Sequence, residues 1–127
     1  MVNKNIIVDQ ALKECVKIYN TTELKVLENN CRKSNTIKAK RMFIYYLYRD
    51  LNINYPSINK YFIKLNHATS IHHVKKFDYE LKNLNEIEND YNKFLEKMKI
   101  FNLSGKKLED SIKKLQGLIN EINKIKL

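Results

Sequence analysis

Pro56-Ser-Ile-Asn-Lys-Tyr-Phe-Ile-Lys-Leu-Asn66-His-Ala-Thr-Ser-Ile-His-His-Val-Lys-Lys76 is the stretch on which the fold turns. Pro56 suits the first turn of a helix, where its missing N–H costs nothing. Ser57 to Phe62 then reads as a short helix with Ile58, Tyr61 and Phe62 turned inward. Ile63 to Leu65 is a turn, and Asn66 is a good N-cap for a longer helix carrying Ile71, Val74 and Leu81. A short helix, a tight turn and a longer helix form a helix-turn-helix pattern.

Working outward, the rest of the chain also reads as amphipathic helices. Upstream, Leu12, Val16 and Tyr19, with Cys15 beside them, recur at helical spacing, with Asp9 placed as a cap. A second helix starts at Thr22, has Glu23 in its first turn and buries Leu24 and Leu27. Asn29 to Asn35 is polar, basic and aperiodic, hence a loop. A third helix runs from about Thr36 to Asp50 with a stripe of Phe43, Leu47 and Leu51. Downstream, Asn83 and Asn85 weaken helicity near Leu84. Ile87, Tyr91, Phe94 and Met98 then mark another helix, and Phe101 to Gly105 a second break. Beyond it Leu108, Ile112, Leu115, Ile119 and Ile122 follow at alternating steps of four and three, which is heptad spacing. The expected class is all-α: a multi-helix helix-turn-helix domain over residues 1–101, with an extra C-terminal amphipathic helix over residues 102–127 for packing or oligomerisation.

Composition supports this reading. Two Gly and one Pro in 127 residues starve the chain of the turn residues a many-stranded sheet requires. The longest apolar runs, such as Met42 to Tyr48, fall far short of the roughly 20 residues that span a bilayer. Two cysteines, Cys15 and Cys31, do not make a disulfide framework, and no long apolar leader is evident at the N-terminus. The expectation is a cytoplasmic protein with no membrane partner.

Charge placement carries more information than its total. Between Cys31 and Lys76 the basic residues Arg32, Lys33, Lys38, Lys40, Arg41, Arg49, Lys60, Lys64, Lys75 and Lys76 meet a single acid, Asp50. The flanks mix the signs almost evenly, so nearly all of the net charge of +10 sits in this window. A one-sign block within a folded region points to a polyanion, most often nucleic acid.

The segments Arg41-Met-Phe-Ile-Tyr-Tyr-Leu-Tyr-Arg-Asp-Leu51, Ile58-Asn-Lys-Tyr-Phe62 and Asn66-His-Ala-Thr-Ser-Ile-His-His-Val-Lys-Lys76 make the pattern specific. Together they closely resemble the C-terminal DNA-binding domain of the bacterial replication initiator DnaA, of the Trp-repressor-like helix-turn-helix superfamily. In that family an arginine-led helix precedes an Ile-Gly-x-x-Phe helix, and Asp-His-Thr-Thr-Val-x-His opens the recognition helix. Upstream, Val16, Tyr19, the Thr22 to Leu27 helix and the Arg32-Lys33 loop match the domain's entry. Asn85 to Met98 looks like its closing helix.

The resemblance implies that His67, Thr69 and His72, which fall on signature positions, contact bases or backbone in the major groove. It implies that Lys33, on the family's basic-loop arginine, enters the adjacent minor groove, with Arg32 and Asn35 beside it. Lys75 and Lys76 match the basic pair after the signature. Lys38, Arg41, Pro56, Ser57, Asn66, Ala68 and Ser70 complete the expected DNA-binding set. General physics agrees: the first turn of a recognition helix reaches base edges, and a nearby basic loop senses minor-groove width. Asn66 replaces the signature Asp and Ala68 its first Thr, Ser70 replaces Val, and Lys33 replaces Arg. Asn donates as well as accepts, Ala68 retains a methyl for a thymine, and Lys lacks the planar fork.

Other chemistry has less support. Ser104-Gly105-Lys106 lacks the upstream glycine and the following Ser or Thr of a phosphate loop, so neither nucleotide nor cofactor is expected. His67, His72 and His73 match no zinc spacing and are read as helix-surface residues, so no metal is expected. Tyr45, Tyr46, Tyr48 and Tyr61 are read as core aromatics with wet hydroxyls rather than a single-strand stacking platform. No carboxylate pair or activated nucleophile suggests an enzyme. The expectation is a stand-alone reader of double-stranded DNA, nucleoid-associated, that regulates replication or transcription without a motor; a phage or mobile element would suit it. The competing expectation is a protein-interaction module or inhibitor. In that case the seam of Leu108, Ile112, Leu115, Ile119 and Ile122 pairs with a second copy or a partner such as the host initiator.

Overall fold

A computed structural model describes residues 4–125, with side chains over residues 6–102 and 111–121. It is all-helical: α1 (Lys4–Ile18), α2 (Glu23–Glu28), α3 (Ser34–Arg49), α4 (Tyr55–Asn59), α5 (His67–Asn83) and α6 (Asn85–Ile125). No helix among the described residues is long and apolar enough to cross a membrane.

α3 is the hub. Met42, Phe43, Ile44, Tyr45, Tyr46 and Leu47 are all buried, so this stretch has no solvent side. A helix that is apolar all round must be wrapped by others, and α1, α2, α4 and α5 pack around it. The stripe Ile87, Tyr91, Phe94 and Met98 of α6 closes the far side, and all four are buried. Tyr46 meets Phe94 edge-on at 4.9 Å, and Tyr45 lies 4.8 Å from Phe77 and 5.5 Å from Tyr91. Buried tyrosines need a polar outlet. Tyr45 donates to Asp78 at 3.3 Å, Tyr91 to Asp50 at 3.4 Å and Tyr19 to Asp90 at 3.0 Å. Tyr61, expected to face inward, is instead exposed in the turn after α4.

Local signals set most helix ends. Thr22 caps α2 by accepting from the Lys25 N–H at 3.3 Å, and Asn54 caps α4 from the Ser57 N–H at 3.0 Å. Pro56 lies in the first turn of α4. Asn29 ends α2 with φ 59°, a left-handed conformation that Asn tolerates better than most side chains. Leu84 breaks the chain between α5 and α6, as the flanking asparagines predict.

Three local expectations are corrected. Asp9 lies inside α1 rather than capping it, because the helix begins at Lys4. In α2 the buried residue is Val26, while Leu24 is 66% exposed. A six-residue helix holds too few residues for periodicity to select the inward face. The break at Phe101–Gly105 is absent, and α6 is helical throughout. One glycine and no proline in that stretch cost only about 1 kcal/mol, which a long helix absorbs. The division expected near residue 102, between the domain and its C-terminal helix, falls inside one continuous helix. Along it Ile112, Leu115, Leu118 and Ile119 are exposed; Leu108 and Ile122, from the same seam, lie outside the described side chains.

Candidate nucleic-acid interface

The unit from α4 to α5 is built by three ties. Asn66 Oδ1 accepts from the Thr69 N–H at 2.8 Å, which caps α5 and fixes the first turn. The cap occupies the side-chain oxygen and leaves the amide NH2 of Asn66 as its outward chemistry. The turn is then fastened to α2: the Ile63 N–H donates to Leu27 O at 2.9 Å, and Asn29 Nδ2 donates to Ile63 O at 3.2 Å. Finally, the Ser70 hydroxyl donates to Asn59 Oδ1, with Asn66 O sharing the same proton at 3.2 Å. Lys64 turns the corner with φ 55°.

Ser70 is 0% exposed, so the expectation that it contacts DNA is corrected. It is a lock between α4 and α5. Its departure from the resembled signature is matched by a second one, since Asn59 stands where that pattern has glycine. The hydroxyl and the amide satisfy each other where an aliphatic side chain and a glycine would need no partner.

α5 divides cleanly into two faces. Ser70, His73, Val74, Phe77 and Glu80 are buried against the domain. Ala68, His72, Lys75, Lys76 and Tyr79 are exposed on the opposite side, and His67 is exposed at the first position. Thr69 is half-buried beside them. The outer face carries no acid. Lys76 Nζ lies 5.9 Å from the Tyr79 ring centre, a distance suited to a cation–π contact. Pro56 is exposed and Ser57 half-buried at the head of α4. Tyr55 extends that end of the motif, stacked 4.3 Å from Tyr48 and lying 5.9 Å from His67.

The basic loop between α2 and α3 leaves Arg32 and Lys33 exposed, with Lys38 half-buried one turn into α3. Asn35 is tied internally: it donates to Asn20 O at 3.2 Å and accepts from the Thr36 N–H at 2.9 Å. Arg41 also works inward. Its Nε donates to His73 Nδ1 at 3.2 Å, and its guanidinium pairs with Glu80 at 3.1 Å. Both Arg41 partners are on α5, so Arg41 holds that helix in register on α3. Burial, with Lys40, Arg41 and His72 nearby, pushes the His73 imidazole down to about 4. It is neutral at physiological pH, so none of the local charge comes from it.

The structure thus gathers Arg32, Lys33, Lys38 and Arg41 around the loop, and His67, Ala68, Thr69, His72, Lys75 and Lys76 on α5. It withdraws Ser70 and occupies Asn35. His73, expected on the helix surface, is instead buried at 6% exposure because it lies on the inner side of α5, and Lys40, expected only as part of the basic block, is buried as well. Lys40 is buried, with Nζ donating to Asn29 at 2.7 Å and its pKa lowered by burial and by Arg41. Its place in the one-sign block was the available signal. Among the described residues no cluster of three or more His, Cys, Asp or Glu forms a metal site. No family model matches the chain, and no curated protein matches it.

Proposed function

We propose that this chain binds double-stranded DNA through α4 and α5, regulating replication or transcription on the DnaA plan without an ATPase. The observation that carries the reading is the two-faced α5. Its inner side is fixed by Ser70, Val74 and Phe77, while its capped N-terminal turn and acid-free outer side are exposed. A rigid helix with exposed polar and basic groups over its first turns suits insertion in a major groove. Arg32 and Lys33 on the adjoining loop are available for a minor groove or phosphates. Cations on both flanks supply the salt-sensitive, sequence-independent share of affinity.

The test is fluorescence anisotropy with a labelled initiator-box duplex and a scrambled duplex across a salt series. Preference for the box, lost when His67 and Thr69 become alanine, is the expected outcome. Equal and steeply salt-dependent binding to both duplexes keeps DNA binding but removes the initiator box as its target. Absence of binding to either at moderate salt contradicts the proposal.

One observation favours a second reading. The distal part of α6 leaves Ile112, Leu115, Leu118 and Ile119 exposed along one helix, a stripe suited to a protein partner or a second copy. Leu115→Glu with Ile119→Glu separates the readings. A DNA reader retains most of its affinity, whereas an adaptor loses its partner.

A further inference from the structure

A cavity of about 440 Å³ lies where the basic loop passes between α3 and α5. Its walls include Cys31, Arg32, Lys40, Arg41 and His73, and none of its lining residues is acidic. That volume is in the range of small-molecule sites. Lys40 has given one of its three N–H donors to Asn29.

His73, on the same wall, adds a second observation. The residue is 6% exposed, and Nδ1 accepts from Arg41, which places the ring proton on Nε2. Nε2 is buried and has no hydrogen-bond partner among the described residues. An unpaired buried donor is costly, and here it belongs to a side chain lining a cation-rich cavity. The cations on these walls suit an anionic ligand.

Cys31 brings reactivity to the same wall. It is partly exposed, and its Sγ lies 3.6 Å from Thr36 Oγ1. The Lys33 backbone N–H and Thr36 hold its thiol below the usual range, with help from Lys25 and Lys33. Cys15, by contrast, is fully buried and its thiol is pushed well up. Reactive thiols are those that are accessible and stabilised as thiolate by nearby positive groups.

We propose that Cys31 is a thiol-exchange site selective for small anionic disulfides of the glutathione class, whose carboxylates occupy the cavity lined by Arg32, Lys40, Arg41 and His73. The Cys31 thiolate attacks one sulfur of the disulfide, the S–S bond breaks, and a mixed disulfide forms. The other half departs as a thiolate, so electrons balance without an outside oxidant. The adduct places bulk and negative charge beside Arg32 and Lys33. The consequence, weakened DNA binding, rests on the reading above; the exchange chemistry does not.

The experiment treats the reduced full chain with glutathione disulfide, neutral 2-hydroxyethyl disulfide or cationic cystamine, each rate normalised to that with free cysteine. Intact mass and peptide mapping follow the product. The expected result is an adduct on Cys31 and not Cys15, with the anionic disulfide reacting at least tenfold faster than the neutral one. Arg32→Gln, an exposed change, or 0.5 M salt should reduce that preference severalfold. Equal rates for the anionic and neutral disulfides, or an adduct absent from Cys31, overturn the proposal. Anisotropy on the glutathione adduct supplies the second arm, with at least tenfold weaker duplex binding expected and restored by dithiothreitol. Unchanged duplex binding by the adduct overturns the regulatory consequence. If neither form binds duplex, the DNA-binding reading fails while the mass measurement still decides the exchange.

Discussion

α6 is one helix with two fates. Over its first turns Ile87, Tyr91, Phe94 and Met98 are buried where the helix packs against α1 and α5. From Ile112 to Ile119 residues of the same kind at the same spacing face outward, Leu115 being 59% exposed where Phe94 is 0%. Periodicity selects a face of a helix, but whether that face is covered depends on the other elements within reach. α5 shows the complementary case: it is covered on one side and presents cations on the other, with no apolar stripe left over. The described residues therefore include open surfaces of opposite chemistry, a basic one at α5 and the loop, and an apolar one along the distal part of α6.

The largest effect should come from dividing α6 by mutation. Phe94→Ala empties a fully buried site between α6 and Tyr46 and should cost about 3–5 kcal/mol of stability. Leu115→Glu should change stability by less than about 0.5 kcal/mol, as an exposed substitution does. Urea unfolding of both variants checks the contrast, and comparable losses would mean that the distal stripe packs on something.

The inner side of α5 should reveal itself through pH. His73 titrates near 6.5 when exposed and at about 4 in the fold. Because the folded value is depressed, the unfolded chain takes up the proton first, and stability is lost as pH falls from 6.5 toward 4. Above 6.5 the contribution is fully present. The loss should be on the order of 2–3 kcal/mol, and His73→Phe should flatten it in pH-dependent thermal melts. An unchanged slope would mean that the imidazole is not shielded.

The outer side of α5 should respond to salt instead. Lys75→Ala and Lys76→Ala should each weaken duplex binding about equally for all sequences, and each should reduce the log affinity against log salt slope by about 0.9. Stability should not move, since both residues are exposed. A smaller effect is expected at the corner of the motif, where Lys64 has φ 55°. Glycine removes that strain at the expense of unfolded-state entropy, so Lys64→Gly should stabilise by about 0.5 kcal/mol. Denaturant midpoints check it.

Much of this arrangement was legible because it is local. Thr22, Pro56 and Asn66 mark helix starts through chemistry that operates within one turn, and Ile87, Tyr91, Phe94 and Met98 mark a buried stripe through spacing alone. The one-sign block identified the basic loop and the outer residues of α5. What escaped depends on distances between elements. The Ser70–Asn59 lock exists only because α4 and α5 are in contact, and the pairing of Arg41 with His73 and Glu80 joins positions far apart in the chain. The cavity beside Cys31 has walls from the loop, α3 and α5, and no single segment announces it. The uninterrupted α6 escaped for a different reason: Ser104 and Gly105 weaken a helix without being able to end it.

Amide hydrogen exchange of the full chain, with and without a saturating duplex, decides which of the two surfaces meets DNA. Added protection is expected across residues 31–38 and 66–76, with no change across residues 111–121. Protection confined to residues 111–121, with α5 unaffected, would contradict it and make the apolar surface the functional one.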